Sequence, residues 1–326
     1  MTLPLFAPFS TIKDNPSNQD LAAEIKDLKK TKNAVLLAHY YQRPEIQDAA
    51  DFVGDSLALS QQAAKAEADI IVFAGVHFMA ETAKILNPRS KVLLPDLQAG
   101  CSLAQSCPPE AFGAFLESHP GHTVVSYINC SAEVKAMSDY VCTSSNALKI
   151  IQSIPSEKPI IFAPDKNLGR YLIRKTGRKM LLWDGSCTVH EAFSIDKLLE
   201  LLKAHPDARV LAHPESEEHI LTIAHYVGST AGMIARVRAQ PRQKYLVATE
   251  AGILHEMQKK VPSASLIPVP TAEDNSCACS ECAFMKVNTL EKIRNCLRDE
   301  TPEILVPEVL AAKAMRSLER MLELSV

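Results

Sequence analysis

Nine cysteines lie in this chain of 326 residues, and spacing sets some of them apart. Cys101, in Gly100-Cys-Ser102, and Cys187, in Ser186-Cys-Thr188, stand 86 residues apart (187 − 101). A third group, Cys277, Cys279 and Cys282, follows, with Cys282 another 95 residues on (282 − 187). Thiolate-only ligation selects zinc or an iron–sulfur cluster. A cube held by three cysteines leaves one iron open to substrate as a Lewis acid, whereas zinc would take a fourth ligand, which Cys187-x-x-His190 offers. Cys107, Cys130, Cys142 and Cys296 show no such pattern and read as small buried hydrophobes.

Upstream of each thiol stands a ring residue: His39, Tyr127 and His213. Two residues further on the chain carries Tyr41, Asn129 and Glu215, three different chemistries at equivalent places. A repeat kept only for structure has no need of that difference. His213 and Glu215 have the side chains to trade protons with a bound ketone. A hydroxyl follows 17 residues after each ring residue, at Ser56, Ser144 and Thr230 (56 − 39, 144 − 127, 230 − 213). At the start of a helix such a hydroxyl serves as an N-cap, or, beside free backbone N–H groups, helps to hold a carboxylate or phosphate.

The elements that must position these residues recur with them. Ala34-Val-Leu-Leu-Ala-His39, Thr123-Val-Val-Ser-Tyr127 and Arg209-Val-Leu-Ala-His213 are aliphatic runs of strand length, repeating at 88 residues (127 − 39) and then 86 (213 − 127). Each is followed by a matching signature, Asp51-Phe-Val-Gly-Asp-Ser56, Asp139-Tyr-Val-Cys-Thr-Ser144 and His225-Tyr-Val-Gly-Ser-Thr230. A third run comes at Ile70–Ala74, Ile160–Ala163 and Tyr245–Ala248, and a fourth at Val92–Pro95, Met180–Trp183 and Ser265–Pro268. Amphipathic helices are predicted before each copy, at Leu21–Leu28, Glu110–Glu117 and Ile195–Lys203. A unit of this length is a small domain rather than a solenoid module.

Strands alternating with helices specify parallel sheets covered on both faces. The expected fold is α/β: three repeated α/β/α sandwiches with parallel four-stranded sheets, pseudo-threefold around a central site. The units are expected at residues 1–106 with an N-terminal helix, 107–192, and 193–326 with the C-terminal helices. Ligands of such sheets bind at the carboxyl ends of the strands, where the ring residues, hydroxyls and thiols would meet in one cavity.

Composition narrows the class. A formal charge of −3 with 22% charged residues carries no basic footprint for nucleic acid. The apolar runs fall far short of a membrane span, and Met1–Ser10 lacks the basic and apolar regions of a leader, so a cytoplasmic protein without an anchor is expected. An odd cysteine count in a reducing compartment points to metal binding, catalysis or burial before disulfides.

The chain resembles the quinolinate synthases over nearly its whole length. The resemblance is carried by Leu37-Ala-His-Tyr-Tyr-Gln42, Gly54-Asp-Ser56, Phe73-Ala-Gly-Val76, Met79-Ala-Glu-Thr82, Tyr127-Ile-Asn129, Pro164-Asp-Lys-Asn-Leu168, Cys187-x-x-His190, His213-Pro-Glu215 and Ser229-Thr-Ala-Gly-Met233. It implies an enzyme of NAD biosynthesis that condenses iminoaspartate with dihydroxyacetone phosphate to quinolinate, with loss of phosphate and water. It also implies one 4Fe-4S cluster per chain on Cys101, Cys187 and Cys282, and a functional partner in L-aspartate oxidase, with the chain a monomer or homodimer. His39, Ser56, Tyr127, Asn129, Ser144, His213, Glu215, Ser229 and Thr230 are implied to hold substrate. Tyr41, Glu215, His213 and Tyr127 are implied to take part in catalysis, with Glu215 as the base for enolisation and dehydration. Two local departures are the extra thiols Cys277 and Cys279, and Tyr40 where many relatives carry Asn.

The third ligand is open between two arguments. The distance from ring residue to cysteine is 62 in the first unit (101 − 39) and 60 in the second (187 − 127). In the third it is 64, 66 or 69 for Cys277, Cys279 or Cys282, which favours Cys277, whereas the resemblance places the ligand at Cys282, just before Ala283-Phe-Met-Lys-Val-Asn288. Two further readings are a zinc hydrolase or lyase on Cys101, Cys187, Cys282 and His190, and a non-catalytic iron–sulfur electron-transfer protein.

Overall fold

Aliphatic runs without a polar face need cover on both sides. In the computed structural model, which describes residues 17–272 and 280–325, they receive it in three sheets. The first holds β1 (Ala34–His39), β2 (Phe52–Gly54), β3 (Ile70–Ala74) and β4 (Lys91–Leu93). The second holds β5 (Thr123–Tyr127), β6 (Tyr140–Cys142), β7 (Ile160–Ala163) and β8 (Met180–Leu182). The third holds β9 (Arg209–Ala212), β10 (Tyr226–Val227), β11 (Lys244–Ala248) and β12 (Ser265–Pro268). In every sheet the order is second, first, third, fourth, and every pairing is parallel. The expected three α/β units are therefore present. All five residues of β3 are buried, as a doubly covered strand requires.

Strands that are apolar on both faces gain little from hydrophobic patterning when they choose a register. Hydrogen bonds choose it here, in the same way three times. Asp51 Oδ2 accepts from Leu36 N at 2.8 Å, Asp139 Oδ2 from Val124 N at 2.9 Å, and His225 Nδ1 from Val210 N at 3.1 Å. Each of these residues also donates its own N–H to the carbonyl of the same strand residue, at 2.9 Å in all three units. This two-point clip locks the second signature onto the first strand, which is why the ring-to-hydroxyl spacing is invariant. The ladders then align Ala38 with Ala74, Ser126 with Ala163 and Ala212 with Ala248.

The anticipated amphipathic helices form as Asn18–Thr31, Pro109–Glu117 and Ile195–Ala204. The first is started by a capping box between Ser17 and Asp20. The two C-terminal helices do not stay with the third sheet. Leu290–Asp299 buries Ile293 and Leu297 against Ile25, Leu36 and Val72 of the first unit. Glu308–Glu323 places Ala314, Leu318 and Met321 in a core shared with Ile85 of the first unit and Val141 and Ile150 of the second. Each fully buried Leu or Ile contributes roughly 1.5–3 kcal/mol, so these helices bind the first two units together.

Candidate active site

The carboxyl ends of the three first strands converge. His39 and Tyr127 are the last residues of β1 and β5, and His213 follows β9 directly. One cavity is lined by side chains from all three units: His39, Tyr41, Ser56 and Cys101 from the first, Tyr127, Asn129, Ser144, Cys187 and His190 from the second, His213, Glu215, Thr230, Glu250 and Cys282 from the third. Val76, Phe78, Met79 and Met285 supply its apolar wall.

The hydroxyls take places different from those expected of caps. The helix Ser56–Lys65 is capped by Asp55, whose carboxylate accepts from Ala58 N, and Ser56 is its first helical residue. Likewise Ser229 caps Thr230–Ala239 by accepting from Gly232 N at 3.1 Å. Ser56 and Thr230 are thus free of capping and line the cavity, whereas Ser229, implied as a substrate ligand, does not line it. In the second unit the helix starts only at Ala147. Asn146 Oδ1 accepts from Thr143 N at 2.6 Å and closes a turn there, so Ser144 sits before the helix rather than at its start. Its Oγ instead lies 3.2 Å from His213 Nε2.

A continuous hydrogen-bond chain crosses the units at this cavity. Tyr127 Oη donates to Glu215 Oε1 at 2.5 Å. Glu215 Oε2 is 3.1 Å from His190 Nδ1. His190 Nε2 is 2.9 Å from Thr249 Oγ1, which is 2.7 Å from Tyr41 Oη. His213 Nδ1 stands 3.6 Å from Glu215 Oε1, too far for a hydrogen bond, and is a buried nitrogen without a hydrogen-bond partner among the described residues. Asn129 Oδ1 is likewise buried without a hydrogen-bond partner among the described residues, so both atoms could serve a ligand of the cavity.

Electrostatics divide these groups into fixed states. Burial pushes the Glu215 carboxyl up, but His190 and His213 and the hydrogen bonds from His190 and Tyr127 outweigh it and hold it at about 2. Burial lowers His39 to about 3, assisted by His213, and lowers His213 to about 3, assisted by His190, so both rings are neutral. Burial first and Glu215 second raise the phenols of Tyr41 and Tyr127 well above their ordinary range. The result is one carboxylate facing two protonated phenols and the neutral imidazoles of His39 and His213.

The thiols repeat one local geometry. Cys101, Cys187 and Cys282 each occupy the N-cap of a four-residue helix, Ser102–Gln105, Thr188–Glu191 and Ala283–Lys286. None of the described cysteines is in a disulfide. Burial pushes Cys101 up to about 12, raises Cys187 well above its ordinary range with help from Glu215, and raises Cys282. Backbone N–H groups of Ala104 and Leu103, of His190, and of Met285 and Phe284 act on the three sulfurs in the opposite sense. Thiols that resist ionisation in the bare protein, yet already face N–H donors that favour thiolate, suit a cation that displaces their protons. The donor set therefore fits a thiolate-bound metal group. Cys187, His190 and Glu215 also place one ligand atom each within 4.8 Å of one another. Cys277 and Cys279 lie outside the described residues.

Sequence reading overlooked Thr249 and Glu250, which follow β11. Glu250 Oε1 accepts from Cys282 N at 3.1 Å and from Lys286 Nζ at 2.8 Å, and its Oε2 accepts from Gly252 N at 2.7 Å. Lys286 Nζ also donates to the Tyr41 carbonyl at 2.8 Å. Gly252 is needed there, since a Cβ would come within 2.8 Å of Glu250 Oε2 and 2.9 Å of Lys286 Nζ. A signal existed. The residues after the third strand are Gly75-Val76, Pro164-Asp165 and Thr249-Glu250, so the repeat is broken there too.

The family model for quinolinate synthetase A protein matches residues 23–323. The quinolinate synthase of a Synechococcus species is 60% identical over 306 residues, 94% of this chain and 95% of that protein. Those of Trichodesmium erythraeum and Microcystis aeruginosa are 55% identical over 323 residues and 57% identical over 322, covering 98% and 97% of this chain and 99% and 100% of theirs. With a family match across the three sheets and the cavity they enclose, the chain belongs to the quinolinate synthase family of enzymes.

Proposed function

We propose that this enzyme condenses iminoaspartate with dihydroxyacetone phosphate in the cavity between its three units, releasing phosphate and water to give quinolinate, with Cys101, Cys187 and Cys282 holding one 4Fe-4S cluster. The observation that carries this reading is the equivalence of the three thiols, each an N-cap of a four-residue helix, one from each unit, all lining one cavity. When bound, such a cluster supplies a Lewis-acidic iron without a cysteine ligand.

The chain's own residues supply the rest. Glu215, ionised and flanked by His213 and Tyr127, is the base that takes carbon-bound protons in the enolisation and dehydration steps. His213, neutral and with an unpartnered Nδ1, holds or accepts a proton beside it. Tyr41 faces the triose. His39, Asn129, Ser144, and Ser56 and Thr230 at the first turns of their helices bind carboxylates and phosphate, and the dipoles of those two helices favour the anions. Ser229 supports Thr230 through its cap. Among the described residues no helix is long and apolar enough to cross a membrane, in keeping with a cytoplasmic enzyme that meets L-aspartate oxidase as the source of its imine.

A zinc site on Cys187, His190 and Glu215 is the second reading, favoured by their mutual proximity. It leaves Cys101 and Cys282 without a task, although both line the same cavity. Anaerobic purification separates the two. Brown protein with iron and sulfide, turning over iminoaspartate and dihydroxyacetone phosphate to quinolinate, and a Cys282→Ser variant that loses the colour, support the cluster. Colourless zinc protein, or wild type that yields no quinolinate, would refute it.

A further inference from the structure

The third sheet has a groove at the edge opposite the active-site cavity. Arg209 is the first residue of β9, whereas His213, which faces the cavity, follows its last. Arg209, His225, Arg236 and Arg242, with the amides of Gln240 and Gln243, line about 590 Å³ of space there, within the range of roughly 300–1,000 Å³ that small ligands occupy. Among the described residues no carboxylate lines it.

The charge of this groove is uncompensated. The guanidinium groups of Arg209, Arg236 and Arg242 have no ion pair or hydrogen bond among the described residues. Asp207, close in sequence, is engaged by Lys244 at 3.6 Å. The repeat shows what is unusual here. Arg209 stands where the other units have Val35 and Thr123, and His225 where they have Asp51 and Asp139. In the first unit Lys29 pairs with Asp51 at 2.8 Å, and in the second Arg320 Nη1 donates to the Asp139 carbonyl at 2.8 Å. Those two edges are acidic and are met by a basic side chain from a covering helix. In the third unit the basic residues belong to the edge itself, so its complement is an anion from outside the chain.

His225 adds a donor of fixed direction. Burial first and the Arg209 charge second hold its ring below the ordinary range, so the ring is neutral at pH 7. Its Nδ1 accepts from Val210 N at 3.1 Å, which places the ring hydrogen on Nε2. The helix-end carbonyl of Gln240 accepts from Tyr245 Oη at 3.1 Å, and the arginine donors are left for a ligand.

We propose that this groove binds the diphosphate group of a small molecule, at a site separate from the active-site cavity. Each planar guanidinium matches two phosphate oxygens, and three of them beside an imidazole N–H suit two linked phosphates better than one. A nucleoside diphosphate and free pyrophosphate carry the same chemistry.

Titration calorimetry of anaerobic holoenzyme with pyrophosphate, and separately with ADP, tests this. Wild type should bind at least one of them with a Kd below about 1 mM. Each lost charge-assisted hydrogen bond corresponds to a fall in affinity of about tenfold or more, so Arg236→Gln/Arg242→Gln should bind about a hundredfold more weakly. Both side chains are exposed, and turnover and Tm of that variant should match wild type. Ser56→Ala, altered in the cavity, should keep the affinity. Binding of pyrophosphate alone identifies the free anion, and equal or tighter binding of ADP identifies a nucleotide; either supports the groove. No binding of either probe at about 10 mM would overturn the inference. So would wild-type affinity in the double variant, or loss of affinity in Ser56→Ala, since each puts the anion in the cavity. If the double variant loses Tm, Arg209→Gln decides: about a tenfold loss of affinity at wild-type Tm supports the groove, and unchanged affinity overturns it.

Discussion

Glu250 and Lys286 form a buried ion pair, 2.8 Å between Oε1 and Nζ, that ties the loop after β11 to the short helix Ala283–Lys286 of the same unit, beside Tyr41 of the first. The carboxylate holds the backbone N–H of Cys282, and the ammonium holds the carbonyl of Tyr41. Side-chain exposure is 1% for Glu250 and 10% for Lys286, so removal of either charge strands the other away from water. Lys286→Met is expected to cost about 3–5 kcal/mol, the range for breaking a buried pair. Thermal denaturation measures that loss, and iron content should fall with it because the Cys282 loop is freed. A Lys286→Met protein as stable as wild type would show that the pair holds nothing.

Glu215→Gln keeps the size of the side chain and its hydrogen-bonding reach to Tyr127 and His190, but removes the charge. Turnover should fall by about two to four orders of magnitude, the range for loss of a general base, while metal content and Tm stay near wild type. Near-normal turnover would take Glu215 out of the proton transfers.

The cavity hydroxyls and the capping hydroxyl should separate cleanly. Ser56→Ala and Thr230→Val remove groups that cap nothing, so stability should change by less than about 0.5 kcal/mol while KM rises. Ser229→Ala removes a cap and should cost about 1 kcal/mol. A stability loss at Ser56 and none at Ser229 would reverse these assignments.

Much of this site was legible because parallel sheets deliver their special residues to one edge. The ring residues mark strand ends, and the spacing of 17 to each hydroxyl is invariant because Asp51, Asp139 and His225 clip their signatures to the first strand. The period failed locally at Ser144, where the Thr143–Asn146 turn delays the helix without changing the residue count. Thr249 and Glu250 escaped notice because the third runs match one another as strands, and only the residues just beyond them, Gly75-Val76, Pro164-Asp165 and Thr249-Glu250, break the repeat. The places of Leu290–Asp299 and Glu308–Glu323 could not be read, since an amphipathic pattern gives a helix its buried face but does not name the partner.

The buried imidazoles set the pH dependence of stability. Burial lowers His39 and His213 from an ordinary 6.5 to about 3. In the fold both stay neutral, and in the unfolded chain both take a proton as pH drops below 6.5. The unfolded state then binds more protons, so stability is complete above that pH and declines as pH falls towards about 3. Glu215 acts in the same sense lower down: its carboxylate, held at about 2 against an ordinary 4.5, contributes stability above 4.5 that is lost as pH approaches 2. Urea denaturation of metal-free protein at constant ionic strength, from pH 7 to pH 4, should show stability decreasing towards acid. His213→Asn removes one of the two titrating rings and should lower that slope by about 1.4 kcal/mol per pH unit, the value of one proton. An unchanged slope in His213→Asn would mean that the ring is protonated alike in the folded and unfolded chain, and therefore that the cavity does not hold it neutral.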